Sequence, residues 1–259
     1  VGAVVYMGPA QERIFLCGGL APTLFSWLDT CEYLDKGATS WTTATAKLNQ
    51  KRYAAVGTLL RDGKTFMVCG GEDQTEVFQS CEKVDSKNPT SQYFTPVADM
   101  STSRANAASV LYKNKMVVLG GVDYDEEKTF KTAEQYSSDT NTWASFPSFG
   151  TPRCNFGAAV IYGKIYIAGG FDDTETFLDT VEVFNGVSWQ RLPSRIASGP
   201  RASHAVVSFK NKLVIAGGQV NDYNLSKIVD VYDPMTAKWS KLPNLDIERS
   251  DSVGAVLHF

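Results

Sequence analysis

The sequence predicts an all-β protein built from repeated four-stranded antiparallel sheets, and three observations predict it. The pair Gly-Gly recurs five times, at Gly18-Gly19, Gly70-Gly71, Gly120-Gly121, Gly169-Gly170 and Gly217-Gly218. The interval is about 50 residues, enough for one four-stranded unit of a radial repeat. Each pair closes a short apolar run, such as Phe66-Met67-Val68 or Ile165-Tyr166-Ile167. Four further landmarks then follow in fixed order, five times over. An acid comes first (Glu32, Glu82, Glu134, Glu182, Asp230), then an apolar or aromatic residue two places on (Leu34, Val84, Tyr136, Phe184, Tyr232). A large aromatic (Trp41, Phe94, Trp143, Trp189, Trp239) and an arginine (Arg52, Arg104, Arg153, Arg201, Arg249) complete the unit.

Each unit reads as strands a, b, c and d of an antiparallel meander. Strand a, for example Gly157–Tyr162, is rich in Gly and Ala. It belongs innermost, where the sheets converge and side-chain volume is scarce. The a–b turns are chemically explicit: Asp62-Gly63, Lys113-Asn114, Tyr162-Gly163 and Lys210-Asn211. Strand b is the apolar run, ended by Gly-Gly where the backbone needs torsions or close contacts that a Cβ forbids. Strand c carries the acid, and the c–d turns include Ser138-Asp139 and Asp233-Pro234. On strand d, Trp41, Trp143, Trp189 and Trp239 are large enough to fill the gap between neighbouring sheets, and are expected mostly buried there. The arginine sits at the d-to-a crossover, where its guanidinium can bond loop carbonyls and acids. The ordered array is a β-propeller, with repeats at 1–51, 52–103, 104–152, 153–200 and 201–248 of a single domain spanning 1–259.

This pattern resembles the kelch-repeat family, whose signature is a double glycine, a glutamate followed by tyrosine, a tryptophan and an arginine. Repeats three to five match best, as in Glu134-Gln135-Tyr136 with Trp143. Repeats one and two depart from it, with Leu34 and Val84 for the tyrosine and Phe94 for the tryptophan. Strand a is present in six copies, because Gly2–Tyr6 and Ser252–Leu257 both read as one. The expectation is therefore a kelch-type propeller of five repeats plus one extra inner strand (249–259), a segment of a six-bladed ring; closure from five blades is the alternative.

Composition bounds the function. The 259 residues are 43% hydrophobic and 12% aromatic, enough for a full core. A net charge of −3 argues against nucleic acid as the main partner. No stretch approaches the ~18 apolar residues of a membrane span. The two histidines, His204 and His258, have no ligand at metal spacing, and the glycine-rich runs lack the Lys-Ser/Thr of a phosphate loop. No cofactor, metal or catalytic residue is expected. The kelch-like copper oxidases need a His, Tyr and Cys constellation that this chain lacks. Cys17 with Cys31, and Cys69 with Cys81, can face each other across strands b and c at near disulfide geometry. The odd count of five and the absence of a disulfide-dense pattern instead favour free thiols in a reducing cytosol.

Recognition then falls to the loops. The b–c loops are acidic and aromatic, and Phe25, Trp27, Tyr124, Asp125, Glu126, Phe171, Asp172, Asp173 and Tyr223 are the candidate partner-binding residues. The a–b and c–d turns lean basic, and Lys113, Lys115, Lys210 and Lys212 form the alternative face. The resemblance implies a non-catalytic protein-interaction propeller. One form is a cytoplasmic, cytoskeleton-associated module that binds actin filaments, as scruin-like cross-linkers do. The other is the substrate-recognition propeller of a cullin-RING ubiquitin-ligase adaptor. An enzymatic or small-molecule-binding propeller is the outsider.

Overall fold

A computed structural model describes residues 13–21, 26–87 and 91–251, and among them every regular element is a β-strand. Blade one holds β1 (Arg13–Cys17), the small hairpin β2 (Leu20–Ala21) and β3 (Ser26–Trp27), β4 (Cys31–Asp35) and β5 (Thr42–Thr43). Blade two holds β6 (Val56–Leu59), β7 (Thr65–Cys69), β8 (Cys81–Asp85) and β9 (Thr95–Val97). Blade three holds β10 (Ala108–Tyr112), β11 (Lys115–Leu119), a loop hairpin of β12 (Val122–Asp123) and β13 (Lys128–Thr129), then β14 (Ala133–Ser137) and β15 (Thr142–Phe146). Blade four is β16 (Gly157–Ile161), β17 (Lys164–Ala168), β18 (Val181–Phe184) and β19 (Trp189–Arg191). Blade five is β20 (Ala205–Phe209), β21 (Lys212–Ala216), β22 (Val229–Asp233) and β23 (Lys238–Leu242).

Blades two to five are antiparallel four-stranded sheets in sequence order, and blade one pairs β1, β4 and β5. The first strands β6, β10, β16 and β20 touch one another in succession, which places them innermost around the axis. The result is a five-blade propeller. A sixth blade is not among the described residues, and both Gly2–Tyr6 and Ser252–Phe259 lie outside them.

Strand alternation builds the core. On β7, Phe66 joins Phe15 and Val84 between blades one and two, while Met67 joins Met116 and Tyr136 between blades two and three. On β11, Val117 and Leu119 join Ile165 and Phe184 between blades three and four. Ile161 and Tyr166 meet Leu213 and Ile215 between blades four and five. Each apolar side chain buried in these seams contributes about 1.5–3 kcal/mol.

Two expectations need correction. The first concerns the thiols. Cys17 and Cys31 are cross-strand partners with Cα atoms 4.1 Å apart, Cys69 and Cys81 are partners at 4.2 Å, and both pairs form disulfides. The neighbouring rung supplies the reason. Gly18 N–H bonds Thr30 C=O and Gly70 N–H bonds Ser80 C=O, so each cysteine pair occupies the close, non-hydrogen-bonded site of its ladder. Among the described residues Cys154 alone remains a thiol, buried.

The second concerns the tryptophans, which are not mostly buried. Trp143, Trp189 and Trp239 are half-buried and Trp41 is 43% exposed. Trp143, Trp189 and Trp239 lie on the outer strands and Trp41 just before β5, each partly open to solvent on one side of its packing. The other side stacks on the strand-c aromatic, as Trp143 does on Tyr136 (5.3 Å) and Trp239 on Tyr232 (5.1 Å). The indole N–H reaches backward: Trp143 donates to Ala98 C=O (2.9 Å) and Trp189 to Pro147 C=O (2.8 Å), both in the preceding blade.

Candidate functional site

The repeated glycine, arginine and acid form one joint between successive blades. Both glycines of every pair have positive φ. At Gly70 a Cβ would stand 2.3 Å from Arg104 C=O, and at Gly71 2.5 Å from Tyr53 C=O, so only glycine lets the next crossover land. Gly71 N–H donates to Arg104 C=O at 2.8 Å, and the same bond recurs from Gly19 to Arg52, Gly121 to Arg153, Gly170 to Arg201 and Gly218 to Arg249. The guanidinium then turns inward. Arg104 donates to Gly120 C=O and Thr132 C=O and pairs with Glu134 at 3.2 Å. Arg52 pairs with Glu82, Arg153 with Glu182 and Arg201 with Asp230, all at 3.0 Å or less. Burial pulls these four guanidinium groups below the usual arginine value, and the adjacent acids oppose it. These four arginines are thus absorbed by the fold, whereas Arg249 is exposed.

The joint delivers the chain to the face that carries the b–c loops. Two residues after each arginine stands a residue in the left-handed region: Ala54, Asn106, Asn155, Ser203 and Asp251. Their backbones are linked in sequence. Asn106 N–H donates to Ala54 C=O (3.0 Å), Asn155 to Asn106 (2.9 Å), Ser203 to Asn155 (2.7 Å) and Asp251 to Ser203 (2.9 Å). These bonds form a rim where the inner strands begin. Its polar side chains reach neighbours: Asn106 Nδ2 donates to the Tyr124 hydroxyl (2.8 Å) and Asn155 Nδ2 to Ser203 Oγ (3.0 Å). The Tyr124 phenol is pushed up to about 12 by burial first, then by Cys154 and Glu72. Burial, Asp251 and Glu72 raise Tyr53, and burial with Asp125 raises Glu72. Tyr53 and Glu72 pair through their backbones at the loop entrance. The sequence reading missed this rim. Its signal was the small or αL-tolerant residue two places after every arginine.

The loop candidates divide. Phe25 lies outside the described residues. Trp27 is half-buried in β3, opposite Leu20. Phe171 is half-buried against Phe177, ring centroids 4.4 Å apart. Asp172 serves its own loop, accepting from Thr174 N–H, Thr174 Oγ1 and Thr176 N–H. Partial burial pushes its carboxyl up, but those bonds win and hold it below the usual range. Asp73, Asp123 and Asn221 cap their loops in the same way, so part of the loop acidity is turn chemistry. Five candidates remain in solvent: Tyr124 (51% exposed), Asp125, Glu126, Asp173 and Tyr223 (93%).

On the opposite face Lys113, Lys115 and Lys210 are exposed, and Lys212 pairs with Asp233 at 3.0 Å. Among the described residues no three His, Cys, Asp or Glu side chains are grouped to hold a metal ion.

Residues 3–194 match the KLHDC2/KLHL20/DRC7 Kelch-repeats domain, and residues 200–245 match the Kelch motif. The chain is 24% identical over 209 residues to "Kelch repeat and BTB domain-containing protein 1" of Camelpox virus (strain CMS), covering 78% of this chain and 36% of that protein. It is 30% identical over 179 residues to "Acyl-CoA-binding domain-containing protein 4" of Arabidopsis thaliana, covering 57% and 26%. The chain thus spans about a third or less of the length of these curated relatives. The solved structure titled "Structure of YjhT" shares the fold with a TM-score of 0.79 at 16% identity, over 97% of this chain and 85% of that one. Family match, repeat chemistry and blade geometry agree: the chain belongs to the kelch-repeat family.

Proposed function

We propose that this propeller is a non-catalytic protein-recognition module that engages its partner through the b–c loop face around the backbone rim. One observation carries the reading. Tyr124 stands exposed next to Asp125 and Glu126 in the blade-three loop, and Asp173 and Tyr223 stand exposed in the loops of blades four and five, each loop already capped from within. Core packing does not demand them, and tyrosine beside polar residues is the composition of interface anchors. The acids favour a basic patch on the partner.

Two partner classes compete. The BTB in the viral relatives' names favours a ubiquitin-ligase adaptor over actin binding. Both readings are cytosolic, and the two disulfides weigh against each, because such bonds persist in oxidising compartments. A cytoplasmic module requires free thiols and an oxidising compartment requires the two bridges, so the count of free thiols decides between them.

The test compares the wild type with Tyr124→Ala/Tyr223→Ala in affinity capture, with mass identification of bound proteins and a parallel sedimentation with actin filaments. We expect the same identified partner to be lost in the variant, and no filament pelleting. Equal capture by both proteins would remove the b–c face, and pelleting that depends on the tyrosines would reinstate actin.

A sixth blade is part of the same proposal. Glu32 and Arg249 occupy the acid and arginine positions of the joint, and both are exposed without an ion pair among the described residues. The other four pairs are buried. A further blade seated between blades five and one would supply an acid to Arg249 and an arginine to Glu32.

A further inference from the structure

The turn face, opposite the loops, carries a feature that folding does not require. Three first-to-second-strand turns have both central residues in the left-handed region: Lys113 and Asn114 (φ 46° and 66°), Tyr162 and Gly163 (49° and 68°), and Lys210 and Asn211 (48° and 57°). This is the two-residue hairpin turn that matches strand twist, and it prefers Asn, Asp or Gly at both places. The second places obey. The first hold Lys, Tyr and Lys, for which that backbone is unfavourable. Their identity therefore reflects what they display, since Asn or Gly would build the turn better.

Their surroundings are mainly basic, although Asp62 and Asp139 are also exposed on this face. Arg61, Lys113, Lys115, Lys164, Lys210 and Lys238 are exposed and make no ion pair among the described residues, whereas Lys64 and Lys212 pair with Asp85 and Asp233. Apolar side chains stand between them in solvent: Val187 is 83% exposed, Met235 75%, Tyr162 55%, Phe209 41% and Leu111 38%. The described residues of the opposite face expose as many large apolar groups (Leu20, Tyr124, Tyr223, Leu225 and Ile247), but the exposed charge beside Tyr124 and Tyr223 is acidic (Asp125, Glu126 and Asp222), so the two faces differ in charge rather than in apolar content.

We propose that the turn face of blades three to five docks on an anionic lipid surface. Lys113 and Lys210 stand at two of the tips, each ammonium 5.4 Å from the ring centroid of Tyr112 or Phe209, and Lys115 and Lys164 follow beside the turns. Such point charges suit a diffuse negative surface, whereas lysine is depleted from protein–protein interfaces. Aromatic and aliphatic tips set among cations suit insertion to headgroup depth. The rigid hairpins present the tips together. This inference is independent of the loop-face reading, because it uses the other end of the propeller.

The experiment is sedimentation of the 259-residue chain with phosphatidylcholine vesicles, with and without phosphatidylglycerol, at low and physiological salt. Pelleting is expected only with the anionic vesicles, weakening as salt rises. Each lysine at such a surface is worth about fivefold in partition. Lys113→Gln/Lys164→Gln/Lys210→Gln should therefore lower binding on the order of a hundredfold. The matching Lys→Arg variant should retain it, and Tyr162→Ser/Phe209→Ser should weaken it at unchanged charge. Tyr124→Ala/Tyr223→Ala, on the other face, should bind vesicles like wild type. Circular dichroism checks that each variant is folded. Failure of the folded wild type to pellet with anionic vesicles at low salt overturns the proposal, as does unchanged pelleting of the Lys→Gln variant. Lysine-dependent binding to actin filaments or duplex DNA that exceeds binding to vesicles would assign the face to that polymer instead.

Discussion

Glu32 and Arg249 hold the two halves of a joint that the chain makes four times elsewhere, and both stand in solvent. At Glu134 the equivalent carboxylate is buried and accepts from Ser101 N–H, Ser101 Oγ and Arg104. Removing one partner of a buried pair leaves the other charge uncompensated. Glu134→Gln should cost about 3–5 kcal/mol in urea unfolding. Glu32→Gln should stay within about 0.5 kcal/mol. A comparable loss at Glu32 would mean that Arg249 already meets it, and would close the ring with five blades.

Thiol chemistry gives the second prediction. Alkylation under denaturing conditions without reductant should modify one cysteine, Cys154, and five after reduction. The bridges span sequence separations of 14 and 12 residues. In the chain-entropy account each contributes about 3 kcal/mol, so reduction should lower Tm clearly. Five modified cysteines before reduction would return the protein to a reducing compartment.

Half-burial of the tryptophans revises their energetic weight. Trp189→Ala should cost about 2–3 kcal/mol, below the full core value, because one ring edge is already wet. Trp189→Phe should keep the stacking on Phe184 and Phe149 and lose only the bond to Pro147, about 1 kcal/mol. Equal losses for the two changes would show that the N–H bond, and not the ring, joins blades three and four.

His204 supplies a pH dependence. It is buried; Nε2 lies 3.1 Å from Ala168 C=O, and Nδ1 has no partner. Burial, then Arg201, depress its pKa to about 3. The folded state therefore holds the neutral ring, while the unfolded chain takes up a proton near pH 6.5. The folded-state pKa is depressed, so this stabilisation is complete above about pH 6.5 and is lost as pH falls toward about 3. The same place in blade four holds Phe156. His204→Phe should flatten the fall in Tm between pH 6.5 and 4; an unchanged slope would assign it to other groups.

Much of the fold was legible because the repeat writes each joint in full. Gly70, Gly71, Arg104 and Glu134 are far apart in sequence, yet their chemistry admits few arrangements. Turn residues announced the hairpins for the same reason. The thiols were misread because composition argued compartment, whereas ladder register, which sets Cys17 against Cys31, decides bonding. The tryptophans were misread because size was equated with burial, and the outermost strand keeps one side wet. Within the loops, sequence did not separate Asp172, which caps its own loop, from Asp173, which remains exposed. That division depends on which backbone N–H groups each carboxylate meets after folding.

The rim at Ala54, Asn106, Asn155, Ser203 and Asp251 is tied from blade to blade by main-chain hydrogen bonds, with one side-chain bond, Asn155 to Ser203, added between blades four and five. The side chains of Ala54, Asn106 and Asp251 are free of that duty. A substitution there that tolerates positive φ can change what the mouth of the propeller offers without shifting the blades beneath. The rim is in effect a keyboard in which Ala54, Asn106 and Asp251 are single keys and Asn155 and Ser203 form one coupled pair, so specificity is rewritten there while the frame stays put.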